Sequence, residues 1–276
     1  MSLSRRSFLA IVPVSSVLGG SLEISASTPR SFQGPAPDRP RTIPESFPTQ
    51  DPALAREIVA VSHGNAARVR ELVSGCPALA KASWDWGYGD WETALGAASH
   101  VGNREIADVL LKAGAPPTIF SAAMLGQLTV VQGMIAASPG IQRTKGPHGI
   151  PLLDHAKFGG AAEVVKYLDT LGDAEPRYTN ESLPDEDRKA ILGDYSFGSG
   201  ATDRLSVTVN ARGNLVIQRT GATERNLFHL GSRVFHPPGA ETVRIRFAPG
   251  PSASSMTIED GPLVVTARRV SGVPGL

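Results

Sequence analysis

The spacing of apolar residues changes once along the chain, and this change divides it into two structural classes. Between residues 51 and 174, apolar residues recur every three to four positions, which predicts amphipathic helices. Between residues 187 and 276 they alternate with polar residues, which predicts short β-strands separated by Gly and Pro turns. The pattern therefore predicts an α+β protein, with a helical domain over 51–174, a polar connector over 175–186 and an all-β domain over 187–276.

The helical region contains an internal repeat. In four places an Ala is followed four residues later by a Gly, and that Gly is followed by apolar residues at its fifth and eighth positions. The Ala allows neighbouring helices to approach closely, and the Gly permits a tight turn between two helices. The repeat predicts four helix–turn–helix hairpins. The pairs are Ala60 and Gly64, Ala98 and Gly102, Ala122 and Gly126, and Ala156 and Gly160.

Two of these hairpins resemble the ankyrin family in sequence. Residues 92–98 (ETALGAA) and 149–156 (GIPLLDHA) stand where that family has its Thr-Pro-Leu-His-x-Ala signature, and residues 112–115 (KAGA) match its usual repeat ending. The resemblance implies a solenoid of about four ankyrin repeats over residues 51–174. Such arrays are mostly protein-binding scaffolds that use hairpin tips and the concave face of the first helices.

The β region contains about eight short strands in meander order. Such a series predicts an up-and-down antiparallel barrel, because closure removes exposed strand edges. Residues 192–195 (LGDY), 205–209, 213–215 (GNL) and 234–235 (VF) resemble lipocalin-like barrels appended to the C-terminus of bacterial serine hydrolases. In those enzymes the barrel is accessory, so the resemblance implies no catalytic residue here. The predicted strands are 193–197, 205–209, 215–217, 226–230, 234–236, 243–247, 256–258 and 263–267.

The N-terminus has the pattern of an export signal. Arg5 and Arg6 precede Phe8, Leu9 and a short apolar run, and small residues follow around Ala26. The arginine pair resembles the twin-arginine motif, which implies that residues 1–26 form a signal peptide and that the mature protein is periplasmic or secreted. The alternatives are an ordinary Sec signal or an uncleaved anchoring helix. Residues 27–50 are rich in Pro and predict an extended linker.

Composition narrows the classes of partner. With 276 residues, of which 41% are hydrophobic, the chain can bury sizeable cores. The formal net charge of +1 gives no electrostatic basis for binding nucleic acid or an anionic membrane surface. The single cysteine, Cys76, excludes an internal disulfide, and its apolar neighbours predict an ordinary packed thiol.

All three tryptophans lie in one short stretch, the tryptophan-rich segment (residues 84–92). Aromatic residues beside carboxylates suit sugar stacking, cation recognition or a protein-binding hot spot. The alternative is that the segment packs against the helices or the β domain. We expect the binding surface to include this segment, the first-helix face and the loop 145–149. The candidate partner-binding residues are Trp84, Asp85, Trp86, Tyr88, Asp90, Trp91, Glu92, His100 and His148.

The histidines are candidates for metal ligation. His63 and His100 occupy equivalent places at the ends of first helices, and with Asp90 or Asp154 they could in principle hold a metal ion. The chain has no closely spaced ligand pair such as H-x-x-x-H, so the sequence favours helix capping for these residues. We therefore expect no metal and no cofactor.

Enzyme motifs are absent from the sequence. There is no G-x-S-x-G, no P-loop and no G-x-G-x-x-G, and the carboxylates of the tryptophan-rich segment lie on a loop of unspecified geometry. The sequence predicts a non-catalytic, exported scaffold protein that binds a protein partner through the helical array. Two alternatives stay open: a small-ligand or glycan binder that uses the tryptophan-rich segment or the barrel lumen, and an accessory subunit of an exported enzyme.

Overall fold

The computed structural model describes residues 45–270. The predicted signal peptide and most of the predicted linker therefore lie outside the described residues. The helices are α1 (Pro52–Val61), α2 (Ala66–Gly75), α3 (Ala94–His100), α4 (Arg104–Lys112), α5 (Ile119–Leu125), α6 (Leu128–Ala137), α7 (Leu152–Phe158), α8 (Ala162–Leu171) and α9 (Asp185–Ile191). Three short 3-10 helices span Pro77–Lys81, Ile141–Arg143 and Pro147–Gly149.

The strands form two antiparallel sheets. The smaller pairs β1 (Ser83–Asp85) with β2 (Trp91–Thr93). The larger contains β3 (Gly193–Ser196), β4 (Arg204–Val209), β5 (Leu215–Arg219), β6 (Arg225–Asn226), β7 (Phe228–His229), β8 (Val234–His236), β9 (Arg244–Phe247), β10 (Ser255–Asp260) and β11 (Leu263–Arg269). Its spatial order is β6-β5-β4-β3-β11-β10-β9-β8-β7.

The first eight helices form the four predicted hairpins, and side chains at their starts explain where several begin. The side chain of Asp51 accepts from the backbone N–H of Ala53 at the start of α1, and Asn65 and Asn103 cap α2 and α4 in the same way. Thr118 caps α5 through a reciprocal capping box with Ser121. These caps satisfy backbone donors that the first turn of a helix leaves without partners.

The turns within three hairpins require glycine. Gly102, Gly126 and Gly160 have positive φ angles of 72°, 77° and 63°, which residues with a Cβ rarely adopt. Gly64, at the equivalent place in the first hairpin, does not have a positive φ, and a Cβ built there meets no atom within 4 Å. The shared Gly therefore has a conformational role in three hairpins and not in the first.

The hairpins pack through their first helices. Helix α1 contacts α3, α3 contacts α5, and α5 contacts α7, in chain order. Helix α3 also contacts α7 directly, and a Cβ on Gly102 would lie 2.1 Å from the carbonyl oxygen of Phe158. Because units of a regular repeat array contact only their immediate neighbours, this contact is a departure from that geometry.

One arginine ties three hairpins together. Arg104, at the start of α4, donates to the carbonyl oxygens of Met124 and Leu125 at the end of α5 and of Gly159 after α7. The last carbonyls of a helix have no partner within the helix, so the guanidinium satisfies acceptors that would otherwise need water.

The larger sheet is a nearly closed, barrel-like antiparallel sheet, as the alternating pattern predicts. Its edge strands, β6 and β7, are separated in the chain only by Leu227, whose backbone N–H bonds the carbonyl of Leu215. The single strand predicted over residues 226–230 is therefore two short strands. Because the chain divides at Leu227, consecutive residues form the two edge strands of the sheet, β6 and β7. This arrangement leaves little of either edge exposed.

Two elements differ from the sequence-based expectation. Residues 83–93 form the β1–β2 hairpin, and α9 spans the predicted boundary between the connector and the β domain. Pro184 precedes α9 and three acidic residues occupy its first turn, which is a favourable helix start. Its last residue, Ile191, is fully buried in the core of the sheet.

The sheet contacts the helical region through loops. Asp90 of the tryptophan-rich segment pairs with Arg225, Lys145 pairs with Glu241, and the Tyr178 hydroxyl accepts from the backbone N–H of Gly239. These contacts lie on the tryptophan-rich segment, the loop before α7 and the connector. No helix among residues 45–270 is long and apolar enough to cross a membrane.

Replacing Gly102 with Ala should lower the free energy of unfolding by at least about 2 kcal/mol, because the turn has a positive φ and the new Cβ would collide with the Phe158 carbonyl. Gly64→Ala is the matched control and should change stability by less than about 1 kcal/mol. Urea denaturation followed by circular dichroism measures both. Equal losses in the two variants would contradict the packing of α3 on α7.

Candidate metal centre

The tryptophan-rich segment is a short hairpin with a tight loop. Strands β1 and β2 pair Trp84 with Glu92 and Asp85 with Trp91. The Asp85 carboxylate accepts from the backbone N–H groups of Gly87 and Gly89, which closes the loop. This local geometry places successive side chains of the segment on opposite faces.

Most side chains of the segment are packed. Trp84 and Trp86 contact the core formed by the first two helical hairpins, whereas Tyr88 contacts the core of the larger sheet. Asp90 and Glu92 are buried, and Trp91 is 62% exposed. The segment therefore lies between the helices and the sheet, and Trp91 is its large aromatic side chain that faces solvent.

Four side chains from separate elements meet beneath this segment. Glu92 lies on β2 and is fully buried, His63 follows α1, His100 ends α3, and His148 lies in the loop before α7. One ligand-type atom from each residue lies within 4.8 Å of all the others. We call this group the His–Glu cluster.

All three histidines of the cluster approach the Glu92 carboxylate. His100 Nδ1 lies 3.0 Å and His148 Nε2 lies 3.4 Å from Oε1 of Glu92, and His63 Nε2 lies 3.6 Å from Oε2. Ligands bound tetrahedrally to a zinc ion at about 2.05 Å are themselves about 3.3 Å apart. The distances to the two oxygens of Glu92 are close to this value, and one donor atom from each of the four residues lies within 4.8 Å of the others.

Two atoms of the cluster are buried without a hydrogen bond. Glu92 Oε1 and His100 Nδ1 are close, but neither has a hydrogen-bond partner of acceptable geometry among residues 45–270. A buried polar atom left without a partner costs about 1–3 kcal/mol. Such atoms in a native protein need an explanation, and an ion between them would supply it.

Outer hydrogen bonds orient two of the imidazoles. His63 Nδ1 contacts the Ala60 carbonyl oxygen at 3.0 Å, and His148 Nδ1 contacts Oδ2 of Asp90 at 2.7 Å. In both residues the remaining nitrogen, Nε2, faces Glu92. A histidine that ligates a metal usually donates its second N–H to a carboxylate or a carbonyl in this way.

Asp90 and Glu92 are themselves held in place. Asp90 accepts from the His148 backbone N–H at 2.9 Å and from the guanidinium of Arg225, and Glu92 Oε2 accepts from the indole N–H of Trp86 at 2.7 Å. Gly239 leaves room for Asp90, because a Cβ there would lie 2.5 Å from its Oδ1. The loop before α7, the larger sheet and Trp86 of the tryptophan-rich segment therefore hold the two carboxylates in place.

The electrostatic environment keeps both carboxylates ionised. Burial opposes ionisation of Glu92, but the imidazoles of His100 and His148 outweigh it and lower its pKa to about 2. Burial also opposes protonation of His148, yet Asp90 and Glu92 raise its pKa to about 9. The pKa of Asp90 is lowered as well, since contacts with His148 and Arg225 exceed the effect of burial.

A cleft of about 560 Å³ opens beside the cluster, between the helices and the sheet. It is lined by two members of the cluster, His63 and His148, whose side chains are 34% and 28% exposed. A small molecule in the cleft would therefore reach an ion held by the cluster. The cleft is also lined by Trp86, Arg225, Asn214 and Asn226.

The structure unites some of the candidates chosen from sequence and separates others. Glu92, His100 and His148 lie in the cluster, and Asp90 contacts it from outside. Trp91 and Asp85 do not join it, and the binding role of the segment stays a prediction.

The sequence indicated His63 as a possible metal ligand beside His100, a role set aside in favour of helix capping, and it did not indicate Arg225. The signal for His63 is that it and His100 stand at equivalent repeat positions, each followed shortly by Gly-Asn. The expectation of no metal relied on ligand spacing within one helix. That test does not detect ligands that come from separate hairpins.

Comparison of the sequence with protein families and with curated proteins found no match.

The metal-free protein should be most stable between about pH 4.5 and 6.5. The lowered pKa of Glu92 contributes stability that is present above its ordinary value of 4.5 and is lost as the pH falls towards about 2. The raised pKa of His148 contributes stability that is present below 6.5 and is lost as the pH rises through about 9. Urea denaturation with a chelator at pH 3, 5.5 and 9.5 measures the effect, on the order of 2 kcal/mol.

His148→Gln is the matched variant for this pH profile. It should remove the loss of stability on the alkaline side, because Gln does not titrate, and should keep part of the loss on the acid side, because His100 still lowers the pKa of Glu92. An identical alkaline loss in this variant would show that other groups cause it.

Proposed function

We propose that this protein binds a divalent transition-metal ion through the His–Glu cluster and exposes the ion to the adjacent cleft. One observation carries the proposal: four ligand atoms lie within 4.8 Å of one another, and two of them are buried without a hydrogen bond. Three imidazoles and a carboxylate from four separate elements converge on one point, which hydrogen bonding alone does not account for.

The outer contacts favour an ion over a network of hydrogen bonds. Asp90 and the Ala60 carbonyl orient His148 and His63 so that each Nε2 faces the same carboxylate. In a hydrogen-bonded network of this kind, His100 Nδ1 and Glu92 Oε1 would be aligned with each other, and they are not. A metal ion would accept lone pairs from all four side chains at once.

The donor set indicates the class of ion. Imidazole nitrogen suits Zn²⁺, Fe²⁺, Co²⁺, Ni²⁺ and Cu²⁺, whereas Mg²⁺ and Ca²⁺ prefer oxygen ligands. The cluster offers a metal ion three imidazole nitrogens and one carboxylate. We therefore expect first-row transition metals to bind and Mg²⁺ to bind at least about 100-fold more weakly.

Calorimetric titration of the metal-free protein with Zn²⁺ should show one site per chain. His100→Ala and Glu92→Gln should weaken binding by at least about 100-fold, because each removes a ligand. Asp90→Asn should weaken it by about 10- to 100-fold, because it removes an orienting contact. His229→Gln is the control: His229 is also buried with Nε2 unpartnered, but it lies in β7, outside the cluster.

The His229→Gln control shows whether the loss of any buried histidine weakens metal binding. Its affinity for Zn²⁺ should equal that of the wild type. Circular dichroism at 20 °C should show that each variant folds before titration. Binding that is absent in folded wild-type protein, or that is unchanged in the folded His100→Ala and Glu92→Gln variants, would refute the proposal.

We also propose that the four hairpins are divergent ankyrin repeats and that the larger sheet is a lipocalin-like barrel. The shared Ala and Gly positions, the capped helices and the packing of first helices on one another support the first assignment, and the order of the strands supports the second. The twin-arginine pattern at the N-terminus supports export to the periplasm.

Binding of a protein partner is a second candidate function. The observation that favours it is Trp91, a large aromatic side chain that is 62% exposed beside a shallow pocket lined by Phe120 and Pro147. Trp86 and Tyr88 are less suitable for testing this function, because they pack on two cores and their loss should lower stability.

Trp91→Ser should leave the melting temperature within about 2 °C of wild type, because the indole is mostly exposed. If the segment binds a partner, the variant should capture less of it from a periplasmic extract, as judged by quantitative mass spectrometry. Val130→Ser, an exposed apolar residue on α6, is the control. Equal capture by all three proteins would argue against a hot spot at Trp91.

A further inference from the structure

We infer that the cleft beside the His–Glu cluster binds a small oxyanion, a carboxylate or a phosphate group, which coordinates the metal ion and accepts hydrogen bonds from Arg225. This inference rests on the proposed metal site. It names the chemical class of ligand that the site would take.

Arg225 is a buried cation with donor capacity to spare. Its side chain is 8% exposed, its Nη2 donates to Asp90 and to the Pro238 carbonyl oxygen, and it lines the cleft. Its Nε is buried without a hydrogen-bond partner, and its Nη1, which is not among the fully buried atoms, makes no hydrogen bond either within the part of the chain that the structure describes. A guanidinium presents five donors in a planar fork, which matches a carboxylate or a phosphate.

The ion would be open to the cleft on the side of Arg225. His63 and His148, two of its four protein ligands, line the same cleft as Arg225 and are partly exposed. Zinc accepts a fifth ligand, and the other transition metals commonly take more than four. An oxygen atom of a bound ligand can therefore complete the coordination shell without displacing a protein ligand.

The charges around the cleft favour an anion. A divalent ion, two ionised carboxylates (Asp90 and Glu92) and Arg225 together leave one positive charge, because histidines that ligate a metal are neutral. At the rim, Arg212 and Glu224 offset each other. A buried positive charge without a counter-ion is costly, so a monoanionic group would be stabilised there.

The remaining walls suit a polar organic ligand. The ring of Trp86 forms one wall, with its N–H already bonded to Glu92, and Asn214 and Asn226 contribute amide side chains. The volume of about 560 Å³ lies within the usual range for small-molecule sites. An organic acid and a phosphorylated metabolite each carry an oxyanion group of the required kind.

Cobalt-loaded protein tests the inference, because the visible spectrum of Co²⁺ reports its coordination. Acetate and inorganic phosphate are the oxyanion probes, and glycerol is the neutral control. We expect at least one oxyanion to change the Co²⁺ spectrum in a saturable manner and to change tryptophan fluorescence through Trp86, whereas glycerol should change neither. The probe that binds more tightly, acetate or phosphate, shows whether the site prefers a carboxylate or a phosphate group.

Variants assign the role of Arg225. Arg225→Gln should weaken oxyanion binding by at least about 10-fold, since a charged hydrogen-bond donor is lost. Because Arg225 also pairs with Asp90, oxyanion affinity is compared only in variant protein that circular dichroism shows to be folded and that still binds one Co²⁺ per chain. Arg225→Lys keeps the charge and should restore part of the affinity. Arg212→Gln, at the rim, should change affinity by less than about 3-fold, because exposed charges are screened by solvent.

The outcomes separate the inference from the proposed function. If Co²⁺ does not bind, both fail. If Co²⁺ binds and neither oxyanion alters the spectrum, the metal site stands and the oxyanion site is refuted. If both Arg225 variants bind the oxyanion as tightly as wild type, Arg225 does not contribute and the inference is overturned.

Discussion

A buried carboxylate, Asp90, joins the helical region to the barrel-like sheet. It accepts hydrogen bonds from the backbone and ring of His148 on one side and from Arg225 of the sheet on the other. Removing one partner of a buried ion pair costs about 3–5 kcal/mol, because the other charge is left without compensation. The position of His148, and with it the His–Glu cluster and the cleft, therefore depends on this one side chain.

Other groups of the His–Glu cluster raise the energy of the metal-free site. Imidazoles and carboxylates are crowded around Glu92, and two buried atoms lack partners. A fold retains such groups when they have a role that apolar residues of similar size would not fill. The capped helices and the packed core of the sheet offset this local cost, so the cluster is held in position by structure that does not itself contact a ligand.

The sequence indicated much of the fold, because its signals are local. Four Ala–Gly pairs and period-3.6 patterns predicted eight helices, and alternation predicted the strands of the larger sheet. Helix α9 and the β1–β2 hairpin were missed. The first is short and follows a proline-interrupted connector, and the second has strands of three residues, too short for a clear alternating pattern. Candidate residues were selected as a partner surface, but three of them, Glu92, His100 and His148, meet with His63 inside the protein.

By itself, the amino-acid sequence determined the first eight helices, the strands of the larger sheet, the two structural regions and the concentration of aromatic and acidic residues in the tryptophan-rich segment. Each of these depends on residues close together in the chain, where propensity, capping and periodicity act. Only the tertiary structure decided that His63, Glu92, His100 and His148 share one point and that Arg225 lies beside them. The separations in sequence between these residues carry no information about distance in space, because the packing of the hairpins and the docking of the sheet bring them together.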